Sequence, residues 1–77
     1  LNIYPNPFST ETTIDFGRKV NSANIKIIDV LGKLLNEYNI SNEENFIIDR
    51  EEKVNGIYFL EVNIDNEGEK IFKLIIE

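Results

Sequence analysis

The chain has 77 residues, which is enough for one small domain and too few for two. It contains no Cys and no His, so disulfides, thiolate or imidazole metal sites and Cys- or His-based catalysis are excluded. Eight basic against 14 acidic residues give a net charge of −6, which would repel both nucleic acid and an anionic membrane. We therefore expect a single domain over residues 1–77 without a nucleic-acid partner. Because the first residue is not Met, we also expect a piece of a longer protein.

The N-terminal segment is dominated by two prolines. Residues 1–4 are suited to a short strand, and Pro5 and Pro7 follow it. Proline lacks an N–H donor and forces the residue before it, here Tyr4 and Asn6, towards extended geometry. Such a segment cannot sit in the middle of a sheet, so we expect it to run along an edge or to cross between sheets.

The rest of the chain alternates apolar and polar residues with a period of two, and polar breaks interrupt the alternation. This period is that of half-buried β-strands, and the 13 Ile residues favour strands as well. With the N-terminal segment, the pattern predicts about seven short strands in an all-β sandwich, or alternatively in a small closed barrel. The predicted internal strands are residues 12–16, 24–30, 33–40, 46–49, 56–65 and 69–77.

Local signals add detail at the turns. Asp29 can accept hydrogen bonds from the main chain that follows it, and Gly32 suits a tight hairpin turn. The alternation fails near Asp29, which predicts either a strand buried on both faces or a bulge. In the next strand, Leu34 and Tyr38 are expected to share one face. A second hairpin loop is expected at residues 66–68.

No residue set predicts catalysis or a cofactor. The adjacent carboxylates at residues 43–44 and 51–52 lie in loops and read as solvated. Residues 65–69 faintly resemble a calcium loop but lack the spacing of an EF-hand, and a polar hairpin accounts for them. The three tyrosines occupy inward-reading positions, which favours core packing over a sugar-binding platform. We expect no enzyme and no small-molecule substrate. A carbohydrate- or protein-binding module and a passive spacer remain as alternatives.

Five strings in a fixed order are similar to a known family. They are Tyr-Pro-Asn-Pro-Phe at residues 4–8, then residues 12–16, Ile-Lys-Ile-Ile-Asp-Val-Leu-Gly-Lys at residues 25–33, Gly-Ile-Tyr-Phe-Leu at residues 56–60, and residues 70–76. This order and spacing resemble the type A C-terminal sorting domain of the type IX (Por) secretion system. The resemblance covers almost the whole chain.

The resemblance implies a fold and a role. The fold would be an immunoglobulin-like sandwich of about seven antiparallel strands in two sheets. The role would be that of a signal for an upstream cargo domain in the same chain. The outer-membrane translocon would read this signal from the periplasm, and a cell-surface sortase would then remove it. The cargo would end at the cell surface or outside the cell.

The family's motifs map onto ten residues of this sequence. We expect these to carry recognition by the translocon: Pro5, Asn6, Pro7, Asp29, Gly32, Lys33, Gly56, Tyr58, Lys70 and Lys73. Many members have Pro before the motif glycine, where this chain has Asn55. For the two terminal lysines an alternative to recognition stays open, because they would equally well protect an edge strand from pairing with another chain. An unpaired edge strand would also offer a route to weak self-association.

Overall fold

The computed structural model describes residues 1–65 and 67–77, and these residues form an antiparallel β-structure. The five strands are β1 (Asn2–Tyr4), β2 (Glu11–Ile28), β3 (Leu34–Asp49), β4 (Gly56–Ile64) and β5 (Gly68–Ile76). The described residues include no helix long and apolar enough to cross a membrane. The predicted all-β class is therefore confirmed.

The strand count differs from the sequence prediction, which was about seven in two sheets. The predicted strands at residues 12–16 and 24–30 are parts of the single strand β2, and those at 33–40 and 46–49 are parts of β3. The polar residues between them are exposed, which breaks the hydrophobic alternation. Main-chain pairing nevertheless resumes beyond a register shift between Asp15 and Val20. The five strands form one continuous curled sheet.

Strand β2 is the centre of this sheet. Its first half pairs with β1 and with the end of β3, and its second half pairs with β4 and with the start of β3. Strand β5 extends the sheet beyond β4, so the order is β1-β2-β4-β5 with β3 along the other side of β2.

The curl of the sheet creates the core. Ile14 in the first half of β2 and Ile25 and Ile27 in the second half are all fully buried. One flat sheet would leave such residues in water, since residues 1–65 and 67–77 include no helix that could cover them. The sheet therefore folds back so that its two halves face each other, as in a sandwich. The smallest extent of the molecule, 16 Å, fits two β-layers about 10 Å apart.

A bulge changes which leucine faces the core. Ile27 lies opposite Asn36, whereas Ile28 lies opposite Leu34, so β3 carries one extra residue at Leu35. Leu34 consequently points outward, with 47% of its surface exposed, and Leu35 packs against the core instead. The expectation that Leu34 shares a face with Tyr38 was therefore wrong. The sequence predicted either burial on both faces or a bulge near Asp29 in the strand at residues 24–30, but β2 ends at Ile28 and the bulge lies in the facing strand β3.

The tyrosines also divide differently from the prediction. Tyr58 is buried and Tyr38 is partly buried, but Tyr4 is 53% exposed at the end of β1. The ring of Tyr38 packs against Phe46 at a centroid distance of 5.1 Å. Its partial burial, with Glu51 and Asp49 nearby, raises the pKa of the Tyr38 phenol above its usual 10.0.

The raised pKa of Tyr38 predicts a loss of stability in alkali. The folded chain keeps the phenol proton to a higher pH than the unfolded chain does. The stabilisation is therefore complete below pH 10.0 and is lost as the pH rises through the folded-state pKa. Urea unfolding at about pH 8 and about pH 11 measures this loss. The free energy of unfolding should fall less between the two pH values for Tyr38→Phe than for the wild type. Equal falls would contradict this assignment.

The turn between β4 and β5 closes the far end of the molecule. The Glu67 N–H donates to the Ile64 carbonyl at 3.0 Å, and Gly68 has a φ of +80°. Arg18, from the bend in β2, forms an ion pair with Glu67. The predicted hairpin loop and the calcium-like string both include Asn66, which lies outside the described residues.

Candidate recognition surface

The segment of residues 5–8 covers the outer edge of the C-terminal strand, and we call it the clasp. The Asn6 side chain acts as a strand partner for β5. Its Nδ2 donates to the Lys73 carbonyl at 2.8 Å, and its Oδ1 accepts from the Ile75 N–H at 3.0 Å. Phe8 continues the pairing, since its N–H donates to Ile75 O and its carbonyl accepts from Glu77 N, both at 3.0 Å. The sequence predicted that this segment runs along an edge or crosses between sheets, and the first of these alternatives is confirmed.

Two buried side chains hold the clasp in place. Phe8 is 3% exposed and belongs to the core, so the clasp is anchored by hydrophobic burial at its C-terminal end. Thr12 is fully buried, and its hydroxyl donates to the Pro5 carbonyl at 2.6 Å, which anchors the other end. Both peptide bonds that precede the prolines are cis. Thr12 and Phe8 thus join the clasp to the rest of the fold at both of its ends.

The turn between β2 and β3 is organised by Asp29. Its Oδ1 accepts from the N–H groups of Leu31 and Lys33, both at 2.9 Å, and its main chain pairs with Gly32 and Lys33. Gly32 has a φ of +87°, a conformation that a side chain would strain. Asp29 and Gly32 therefore shape the turn, as predicted from their sequence, and Lys33 stands exposed beside them.

A wide, open depression lies between this turn and the start of β4. Asp29, Val30, Leu35, Gly56 and Tyr58 contribute to its lining, together with the loop that follows β3. The Tyr58 ring is buried, and its hydroxyl donates to the Val54 carbonyl at 2.5 Å. Gly56 has a φ of +157°, and a Cβ added there would meet open space. Backbone conformation, and not crowding, favours glycine at this position.

The hydroxyl of Tyr58 should contribute measurably to stability. Tyr58→Phe removes the bond to the Val54 carbonyl while keeping the buried ring, so we expect a loss of about 0.5–1.5 kcal/mol in the free energy of unfolding. Urea unfolding measures this loss. Tyr4→Phe is the matched control, because Tyr4 is exposed and its hydroxyl has no hydrogen bond to the described residues. An equal loss in both variants would refute the role of the bond.

Arg50 joins the loop after β3 to the segment after the clasp, a role that the sequence reading missed. Its guanidinium donates to the carbonyls of Ser9 at 3.2 Å and Lys53 at 2.9 Å, and to the Asn55 side-chain oxygen at 2.5 Å. Its own N–H donates to the Thr10 carbonyl at 2.9 Å. In the sequence, Arg50 belongs to a charged break, and nothing local marks its distant partners.

The two terminal lysines point to opposite faces of β5. Residues alternate faces along a strand, so Lys73 shares the outer face with Ile71 and Ile75, and Lys70 falls on the face of Phe72 and Leu74. Both lysines are exposed, and neither forms an ion pair with any described residue.

The structure brings nine of the ten predicted residues to one end of the molecule, which we call the clasp end. Register places them there: Ile28 pairs with Phe59, Phe59 with Lys73, and Ile57 with Ile75, beside the clasp. Lys70 is the exception, since it pairs with Val62 towards the opposite end. Exposed apolar side chains accompany this end: Val30, Leu31, Leu34, Val54, Ile57 and Phe59.

The chemistry of this surface is that of shape, hydrogen bonds and apolar contact. The described residues contain no group of three or more Asp and Glu placed to hold a metal ion. Every buried side-chain N or O atom among them has a hydrogen-bond partner, so no buried polar group is left aimed at a ligand.

Comparison with known proteins gives one family. The family model described as "Secretion system C-terminal sorting domain" matches residues 2–77. No curated protein matches the chain.

Proposed function

The chain belongs to the family of secretion-system C-terminal sorting domains, and from this premise we propose which of its surfaces the translocon recognises. As a member, it is a C-terminal sorting signal of the type IX secretion system. It directs export across the outer membrane to the cell surface or the extracellular space, and it is linked to an upstream cargo domain. The match over residues 2–77 carries this conclusion.

Our proposal is that the translocon reads the clasp end as a folded surface. Four observations support it. The turn with Lys33 and the Lys73 side chain are exposed there. The depression beside Tyr58 is concave and partly apolar. The clasp is held against β5 by the two hydrogen bonds of Asn6. Apolar side chains around this end can be buried by a partner.

We further propose that a cell-surface sortase removes the domain and that the domain itself catalyses nothing. The lack of Cys and His in the sequence supports the second point, since a thiol nucleophile and an imidazole base are missing. Mass spectrometry of exported cargo tests the first. If the domain is removed, the exported cargo should be lighter than cargo with the domain attached by at least the 8.9 kDa of this chain. Exported cargo that retains the chain would overturn the proposed removal.

The export role is tested by fusing residues 1–77 to a periplasmic reporter in a host with the type IX system. The fused reporter should appear at the cell surface or in the medium, whereas the untagged reporter should stay in the periplasm. If both stay in the periplasm to the same extent, the sorting role is wrong for this chain.

Charge reversal tests which surface is read. Lys33→Glu should reduce export severalfold, because it places a carboxylate at the proposed contact. Lys19→Glu makes the same charge change at an exposed residue in the bend of β2, away from the clasp end, and should export normally. Circular dichroism and thermal unfolding verify that both variants fold. Equal export of the two would overturn the assignment of the clasp end while leaving the sorting role intact.

A further inference from the structure

Part of the outer edge of β5 is left open by the clasp. The bonds to Asn6 and Phe8 use main-chain groups of Lys73, Ile75 and Glu77. Main-chain groups alternate sides along a strand, so the odd-numbered residues of β5 turn their N–H and C=O groups outward, away from β4. Glu69 and Ile71 therefore also point outward, and β5 pairs with no strand but β4 within residues 1–65 and 67–77.

The open stretch, residues 69–73, is self-complementary. If a second copy is laid antiparallel beside it with Ile71 opposite Ile71, then Glu69 of each copy lies opposite Lys73 of the other. All three pairs are of the kind that exchange two main-chain hydrogen bonds, because each residue turns its N–H and C=O outward. The Lys73 carbonyl already accepts from Asn6, but a carbonyl oxygen has a second lone pair.

The side chains of these pairs match as well. Glu69, Ile71 and Lys73 share the outer face of the strand, and directly opposite side chains in such a ladder are in contact. The pairing therefore joins two Glu–Lys ion pairs around a central contact between isoleucines that are each 59% exposed in one copy. All three side chains are exposed, and Lys73 forms no ion pair with any described residue.

The open stretch is also bounded at both ends. The clasp covers the edge beyond Lys73, and β5 begins at Gly68, where the chain turns back towards β4. In the pairing above, Gly68 of one copy lies opposite Leu74 of the other, so the second copy leaves the edge where the clasp begins. Strand β3 has an unpaired edge too, but its charged residues are all acidic, so two copies would repel each other there: Glu37, Glu43, Glu44 and Asp49.

We propose that the chain forms a weak two-fold symmetric dimer through residues 69–73, with β5 of the two copies joined into one continuous sheet. This proposal does not depend on the proposed function. The interface is small and its ion pairs are exposed, so the dissociation constant is on the order of 0.1–1 mM.

Sedimentation of the 77-residue chain over a concentration series tests the dimer, and charge reversal tests its register. Glu69→Lys and Lys73→Glu each replace two ion pairs by two like-charge contacts, so each variant alone should dimerise about tenfold more weakly. An equimolar mixture of the two should recover dimers, because each copy then meets opposite charges. The double variant Glu69→Lys/Lys73→Glu should recover them too. Lys19→Glu makes the same change in charge as Lys73→Glu but in the bend of β2, so its dissociation constant should be closer to that of the wild type than to that of Lys73→Glu.

Each outcome decides the proposal. Thermal unfolding confirms that the exposed substitutions leave the fold intact, and recovery in the mixture would itself prove that both variants are folded. A wild-type chain that stays monomeric at millimolar concentration would overturn the dimer. A dimer that neither single variant weakens, or a mixture that fails to recover it, would overturn this interface.

Discussion

A chain carrying Asn6→Ala should lose about 1–3 kcal/mol in its free energy of unfolding, because two hydrogen bonds between the clasp and β5 disappear. The Lys73 carbonyl and the Ile75 N–H would then form hydrogen bonds only with water. Urea unfolding at neutral pH measures the loss. Asn2→Ala is the matched control: Asn2 is an exposed Asn in β1 and should contribute little.

Asn6→Asp separates the two bonds. The carboxylate can still accept from the Ile75 N–H, but its second oxygen faces the Lys73 carbonyl, which is also an acceptor. Asp should therefore stabilise the clasp no better than Ala, even though it is nearly the same size as Asn. If Asp behaves like Asn, the bond to the Lys73 carbonyl contributes little, and the bond from the Ile75 N–H alone accounts for the effect of the side chain.

The second large effect is expected at Arg50. Arg50→Ala should lower the free energy of unfolding by about 2–4 kcal/mol, since it removes three hydrogen bonds from a charged donor that join Ser9 to Lys53 and Asn55. Arg18→Ala is the control, because Arg18 forms one exposed ion pair, which should contribute no more than about 1 kcal/mol. Both losses can be read from urea unfolding.

Arg50→Lys distinguishes geometry from charge. Lysine keeps the positive charge but cannot reach three acceptors with a planar fork, so most of the loss should persist. Full rescue by lysine would mean that the charge among the nearby carboxylates matters and the individual hydrogen bonds do not.

The sequence was sufficient for what depends on local pattern. Alternation placed Ile14 and Phe16 inward, and both are buried. The Asp29–Gly32 turn was predictable because its hydrogen bonds join neighbours in the chain. The prolines marked an edge segment because a missing N–H is a property of the residue itself.

The sequence was insufficient where long-range geometry decides. Asn6 and Lys73 are separated by 67 residues, and no local signal says which edge the clasp covers. Arg50 binds mostly to carbonyls, which every residue carries, so its partners leave no trace in the sequence. The two long strands were predicted as four because exposed polar residues in a bend interrupt alternation without ending the strand.

The clasp has a consequence for synthesis. Its bonds join the beginning of the domain to Lys73, Ile75 and Glu77, and Lys73 is synthesised 67 residues after Asn6. Contacts so distant along the chain form late in folding. A chain that stops short of Ile75 lacks both the carbonyl that accepts from Phe8 and the buried Ile76, so the clasp cannot pair with β5. Closure of the clasp therefore requires a chain that has been synthesised at least as far as Glu77.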